Sequence, residues 1–155
     1  MLLNNAILIA IAIPTFLGAK SRAQDKAAQS SLRNALTNAK GIYTDASSYV
    51  GATTTALQAA EPSLTFVAAG TASTDAKTVS VNPVSANQIV FTALSASGSC
   101  FVMGDFANGP GTVFAKLASG ATCSATQANT TLGSITTAPT AGTNTSTTGV
   151  WVAAF

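Results

Sequence analysis

The chain has 155 residues, enough for one domain or for a tail joined to a head. Only 8% of the residues are charged and the mean hydropathy is +0.38, whereas about 25% charge is usual for a soluble domain. The net charge of +2 gives no reason to expect a nucleic-acid site. Two cysteines without any histidine exclude the usual zinc spacings and Cys-x-x-Cys-His haem attachment. We therefore expect no metal and no cofactor.

Residues 1 to about 49 are predicted to form one long helix. The stretch before Lys20 carries no charge, and good helix formers follow from Arg22 onward. A helix of about fifty residues would be on the order of 75 Å long, too long for a domain of this size to bury. We expect residues 1–24 to project as an apolar half. Residues 25–155 would form the head.

Two features inside this helix carry further predictions. Pro14 removes one backbone hydrogen bond, so a kink or local melting is expected there. Beyond Gly18, apolar and mostly small residues recur at three- and four-residue steps and predict a stripe that packs on the head. This stripe is Ala23, Ala27, Ala28, Leu32, Ala35, Leu36, Ala39, Ile42 and Tyr43.

Residues 10–18, AIAIPTFLG, followed by residues 21–27, SRAQDKA, resemble the N-terminal helix of bacterial type IV pilins. The resemblance covers about residues 6–43, roughly a quarter of the chain. Secretion pseudopilins and competence pilins share the same helix. Two family features are missing before Asp25: a basic leader ending in glycine, and a glutamate near the mature N-terminus. Counted back from Pro14, the chain looks about eight residues short. Either its start is wrong or truncated, or this subunit has lost the charge pair that the glutamate makes with a neighbour's terminal amine; we favour the first.

The resemblance implies a filament subunit that is made in the inner membrane and then polymerised by the pilus assembly machinery. Identical copies would stack their N-terminal helices in the core of an extracellular fibre on the cell surface, used for adhesion, motility or DNA uptake. The implied fold is α+β, with the C-terminal half of the helix packed on an antiparallel sheet. The implied filament-core residues are Ala6, Ile7, Leu8, Ile9, Ile11, Ile13, Pro14, Phe16 and Leu17.

The basic residues are concentrated on the helix, which carries five of the seven. Before assembly, these cations suit the cytoplasmic face of a membrane or anionic headgroups. In a fibre they would need acidic partners from neighbouring copies. The candidate partners are Asp45, Glu61, Asp75 and Asp105.

Strand candidates joined by short turns follow the helix and predict an antiparallel meander. A short helical turn at residues 56–60 comes before them. The candidates are residues 64–67, 77–81, 88–94, 100–106 and 112–117, with a tight turn at 108–111. Val79 and Val81 should point inward, and residues 88–94 should be central.

The final third changes character, because residues 118–149 are dominated by Ser, Thr, Ala and Gly and carry hardly any charge. Such a segment is not expected to bury much surface. Residues 150–155 are apolar and are predicted to pack back on the head as an added strand, or else to contact the next subunit.

Cys100 and Cys123 have two interpretations. In an exported chain they would form one disulfide, which stabilises by roughly 3 kcal/mol on the chain-entropy model. In a reduced compartment they would be buried free thiols. We favour the disulfide.

No catalytic constellation is visible, so we expect no enzyme. Asp105 beside Gly104 is a weak candidate for calcium and more simply a turn former. Asn129 and Asn144 match the N-glycosylation pattern, although O-linked sugar on the hydroxyl-rich segment is an alternative, as is no modification.

Two other functions stay open at this stage. A secretion pseudopilin shares the helix, but the cysteine pair and the long neutral segment favour a pilus. A secreted binding domain with a signal peptide is the other alternative, although residues 1–5 lack a positive stretch.

Overall fold

The protein is described here by a computed structural model, which covers residues 2–118, 120–133 and 150–155, with the backbone alone for residues 2–16. Three helices and five strands lie in these ranges. The helices are α1 (Leu2–Ala46), α2 (Thr54–Ala60) and α3 (Ala125–Leu132). The strands are β1 (Thr65–Ala68), β2 (Thr78–Ser85), β3 (Gln88–Leu94), β4 (Cys100–Phe106) and β5 (Gly111–Lys116).

The fold is α+β, with the long helix α1 packed on a five-stranded sheet, as the resemblance implies. The sequence predicted either a kink or local melting of the helix at Pro14. α1 is continuous through Pro14, so the helix does not melt there. The helix ends where Ser47 takes a left-handed backbone conformation with φ of 51°. The Ser47 N–H closes the last turn by bonding the Tyr43 carbonyl at 2.7 Å.

The sheet has the simple order β1-β2-β3-β4-β5, and β3 is central as predicted. Strands β2 to β5 form the expected antiparallel meander. β1 is an exception, because it pairs with β2 in parallel, and the prediction of a wholly antiparallel sheet is wrong at this edge. The connection between β1 and β2 is long enough to return the chain to the same end of the sheet. Backbone bonds from Ser73 to Cys123 and from Thr126 to Ala69 fix that connection against the α3 side.

Both faces of the sheet are covered, which accounts for the nearly continuous burial of β3 and β4. One face packs on α1 through residues such as Val79, Phe91 and Met103. The other face packs on α3 and the C-terminal segment through Val90, Val102 and others. The head is therefore a three-layer arrangement with a core on each side of the sheet.

Residues 120–133 bury more than was expected of the final third, because they contain α3, which covers one face of the sheet. The rest of that segment, residues 134–149, lies outside the described residues. α3 begins at the N-cap Ser124, whose hydroxyl accepts from the Gln127 N–H at 3.2 Å. Two buried hydroxyls on the sheet bond this layer's backbone: Ser80 Oγ accepts from Ala125 N at 3.0 Å, and Thr92 Oγ1 donates to Cys123 O at 3.2 Å. A polar segment can cover the sheet because the sheet itself supplies matching polar groups.

The outer edge of β1 is partly closed by a side chain of α2. Gln58 Nε2 donates to the Leu64 carbonyl at 2.7 Å, and Gln58 Oε1 accepts from the Phe66 N–H at 3.1 Å. The amide thereby occupies one donor and one acceptor of the edge backbone, which would otherwise be available to another chain.

Candidate functional site

Of the α1 side chains that the structure describes, the head covers those in the C-terminal part. Leu17 is 56% exposed, and Lys20, Arg22 and Lys26 are exposed as well. Full burial begins at Ala28. Between Leu17 and Ala27 the helix therefore gains little cover from the head. The predicted division between residues 1–24 and 25–155 stays a prediction.

Of the nine residues predicted to form a filament core, only Leu17 has a described side chain. The other eight lie in the helical backbone of α1, and their side chains fall outside the described residues. These eight are Ala6, Ile7, Leu8, Ile9, Ile11, Ile13, Pro14 and Phe16. Their contribution to assembly stays a prediction. In the described part of the chain, no helix combines the length and the apolar character needed to cross a membrane.

The predicted stripe on α1 is correct in its second part. Ala28, Leu32, Ala35, Leu36 and Ala39 are buried, and Ile42 and Tyr43 pack partly against the same core. The prediction is wrong for Ala23 and Ala27, which are exposed. The helical period continues in the sequence beyond the point where the head covers the helix, so periodicity alone does not locate the end of the contact.

Asp25 makes a contact where α1 meets the loop between β3 and β4. Its Oδ1 accepts from the hydroxyl of Ser95 at 2.7 Å and also from the hydroxyl of Ser97. Two serines on one short loop thus hold a carboxylate of the helix. This contact lies just before the buried stripe begins.

A buried polar network ties the other end of α1 to β4 and β5. Lys40 Nζ lies 2.9 Å from Asp105 Oδ1, which also accepts from Thr112 Oγ1 at 2.7 Å. Asp105 Oδ2 accepts from the Tyr49 hydroxyl at 2.6 Å. Since the Asp105 side chain is only 5% exposed, these bonds satisfy a carboxylate that would otherwise be costly to bury.

This network corrects one expectation about Asp105, because it pairs with Lys40 of its own chain and is not available to a neighbouring copy. The pKa of Tyr49 is raised, first because burial disfavours the phenolate and then because the Asp105 carboxylate lies beside it.

Among the described residues there is no group of three or more side chains of the kinds that bind metal ions.

Cys100 and Cys123 form the predicted disulfide, with Cα atoms 5.5 Å apart. Both cysteines are 5% exposed. The bond joins the start of β4 to the residue before the N-cap of α3. It therefore fastens the start of α3 to the sheet.

The apolar end of the chain packs back on the head. Val152 forms a single antiparallel bridge with Phe114 on the edge strand β5, rather than a full added strand. Trp151 lies on the α3 side, 5.6 Å in an edge-to-face contact from Phe106. Phe155 lies on the α1 side, where its ring meets Phe114 at 4.7 Å. The segment thus wraps the sheet edge and reaches both cores.

The structure describes only one of the two predicted glycosylation sites. Asn129 lies within α3, and its Oδ1 accepts from Gln88 Nε2 at 3.1 Å. Asn144 lies outside the described residues. Modification of either residue stays a prediction.

A shallow groove runs between α2 and β1 and is lined by Thr54, Thr55, Gln58, Ala59 and Phe66. None of these side chains titrates near neutral pH, and the groove has no nucleophile paired with a base. It offers hydroxyl and amide groups beside one aromatic ring.

The sequence alone did not predict that Lys40 and Tyr49 bind Asp105. It also did not predict that Trp151 packs on β4. Trp151 lies against Gly104, where an added Cβ would come within 2.8 Å of the indole. The only hint in the sequence was that Gly104 and Asp105 interrupt an otherwise apolar strand.

Comparisons with models of protein families, with curated proteins and with solved structures gave no match to this chain.

Proposed function

We propose that the chain is the major structural subunit of a type IV pilus. Copies polymerise through the N-terminal part of α1 into an extracellular filament on the cell surface, for adhesion, motility or DNA uptake. Before assembly, the subunit is held in the inner membrane and handled by the pilus assembly machinery. We assign it no enzymatic activity.

The observation that carries the proposal is the exposure of α1 between Leu17 and Ala27. Side chains from Leu17 to Ala27 are mostly exposed, and the residues that precede them in the sequence are uncharged and mostly apolar. We infer that the apolar residues before Leu17, which continue the same helix, need lipid or other copies for shelter. The helix, the sheet and the disulfide are all compatible with a pilin-like fold.

The energy available from such packing is large. If about 600 Å² of apolar helix were buried per subunit at ~25 cal/mol per Å², the gain would be about 15 kcal/mol before the entropy of association. The apolar end should therefore dominate assembly, with the head setting specificity.

Two features favour a pilus over a secretion pseudopilin. The chain has a disulfide, which fits an exposed fibre in an oxidising environment. It also has a long neutral segment, rich in hydroxyl groups, before its C-terminal residues.

The experiment is to place a charge in the apolar helix and image the product. We expect Ile9→Asp and Ile11→Asp to abolish fibres, because a buried unpaired carboxylate in a helix bundle is strongly unfavourable. Thr126→Asp is the matched control, since Thr126 is exposed on α3 and far from the apolar helix in sequence. Circular dichroism should show the same folded head in all three variants.

Abundant normal fibres from Ile9→Asp or Ile11→Asp would contradict the proposal. Mass spectrometry of the mature N-terminus distinguishes a pilin from the remaining alternative, a secreted domain with a signal peptide. Cleavage after Gly18 or Ala19 would indicate a signal peptide and a secreted domain, whereas a retained apolar end supports the pilin.

A further inference from the structure

The acidic residues of the chain are nearly all engaged within the molecule. The chain has five, and four of them accept hydrogen bonds from side chains or backbone in the described structure. These contacts are Asp25 with Ser95 and Ser97, Glu61 with Ser63, Asp75 with Lys77 and Thr78, and Asp105 with Tyr49, Thr112 and Lys40.

Asp45 is different from these four. Its side chain is exposed, and within the described residues it makes no ion pair or side-chain hydrogen bond. It lies in the last turn of α1, which contains no basic residue. The C-terminal end of a helix carries partial negative charge, and a carboxylate there adds to it. The fold therefore leaves an unneutralised negative site at the end of α1.

Two exposed apolar side chains lie on the segments that meet just beyond the end of α1. Val50 is 60% exposed and Val84 is 36% exposed. The Tyr49 N–H bonds the Ala86 carbonyl at 2.8 Å, which holds the loop after α1 against the turn between β2 and β3. We call the surface formed by Asp45, Val50 and Val84 the distal pole.

The opposite part of α1 carries unneutralised positive charge. Lys20, Arg22 and Lys26 are exposed and have no ion-pair partner in the described structure. We call these three residues the basic segment. Lys26 and Asp45 are 19 positions apart on one continuous helix, so they are about 28 Å apart along its axis. The distal pole and the basic segment therefore cannot neutralise each other within one molecule.

We propose that the distal pole of one copy binds the basic segment of a second copy. This inference rests on the proposed function and adds the head-to-tail contact that sets the position of one subunit along the next. Because the two surfaces differ, the contact is heterologous and does not close on itself, so repeating it produces an open fibre. With parallel helices, the two copies would be displaced along the α1 axis by about 28 to 38 Å.

The test is a charge swap in the full-length protein, assembled by removing detergent and measured by sedimentation and electron microscopy. We expect Asp45→Lys and Lys26→Glu each to raise the concentration needed for fibres by about tenfold or more, because each places like charges in the contact. The double variant Asp45→Lys with Lys26→Glu should regain most of the loss. Thr126→Lys adds a positive charge on the exposed face of α3, which lies on the other side of the sheet from α1, and should assemble like the wild type.

The outcomes separate this contact from the proposed function. If Ile11→Asp abolishes fibres but Asp45→Lys assembles like Thr126→Lys, the head-to-tail contact is wrong and the filament proposal stands. If the wild type forms no fibres, both proposals fail. If Lys26→Glu loses only binding to anionic phospholipid vesicles and assembles normally, the basic segment serves a membrane and this contact is overturned.

Discussion

The Tyr49 hydroxyl and the Asp105 carboxylate form a buried hydrogen bond of 2.6 Å between residues 56 positions apart. Tyr49 follows the end of α1, and Asp105 lies on β4. The Tyr49 side chain is 1% exposed, and its ring also lies 4.6 Å from that of Tyr43. This bond therefore fixes the segment just after α1 to β4.

Replacing Tyr49 by phenylalanine should destabilise the protein by about 1–3 kcal/mol, because Asp105 loses one donor while remaining buried. Denaturant unfolding of the full-length protein in mild detergent measures the change. Tyr43→Phe is the matched control. Its hydroxyl bond to Asn87 is 3.3 Å long and only partly buried, so its loss should cost clearly less. Equal costs for the two variants would contradict a special role for the Tyr49–Asp105 bond.

The same tyrosine predicts a dependence of stability on alkaline pH. The pKa of Tyr49 is raised in the folded state, chiefly by burial and then by its bond to Asp105. A raised pKa means that the stabilisation is fully present below the unfolded pKa of about 10 and is lost as pH rises above it. The loss should approach about 1.4 kcal/mol per pH unit.

The measurement is the free energy of unfolding at several values between pH 8 and pH 11, for the wild type and for Tyr49→Phe. Other groups titrate in this range and affect both proteins. The wild type should therefore fall more steeply than the variant above about pH 10. Parallel curves would show that the folded state does not raise the pKa of Tyr49.

Gly104 should not tolerate a side chain, since an added Cβ would lie 2.8 Å from the Trp151 indole and 3.0 Å from Phe106. We expect Gly104→Ala to cost about 1–3 kcal/mol through overpacking. In a Trp151→Leu background, the cost of Gly104→Ala should be smaller by about 1 kcal/mol, which a double-mutant cycle measures. Gly70→Ala is the control, because nothing lies within 4 Å of its added Cβ. Additive costs would mean that Trp151 does not occupy this position.

Removing the disulfide should lower stability by about 3 kcal/mol, since its loop spans a sequence separation of 23. The test compares thermal unfolding of the wild type with and without a reductant. The double variant Cys100→Ala with Cys123→Ala serves as the control, because it should melt at the lower temperature in both conditions. A wild-type melting temperature that does not respond to full reduction would contradict the prediction.

The sheet was largely predictable because its signals are local. Alternating Val79 and Val81 and the apolar run of β3 identify strands, and both valines are buried as expected. The orientation of β1 was not predictable in this way. It depends on bonds such as Ser73 to Cys123, which join residues far apart in sequence.

The candidate site was less predictable. The apolar helix could be recognised from composition, but the point where the head stops covering it could not, since Ala23 and Ala27 continue the period of the stripe and are exposed. Asp105 was read as a turn former because its partners Lys40 and Tyr49 lie on or just after a helix more than fifty positions earlier. A single carboxylate in an apolar strand did not by itself indicate them.

The way in which α1 lies on the head has a mechanical consequence. Serine hydroxyls hold α1 at Asp25, and apolar packing holds its middle. The Asp105 network holds its far end through Lys40 and through Tyr49 just beyond the helix. A pull along the helix axis would load these attachments together, in shear, instead of peeling them away one after another. In the proposed fibre, tension would therefore pass through the heads, and the loss of one of these contacts would leave the others to hold the helix.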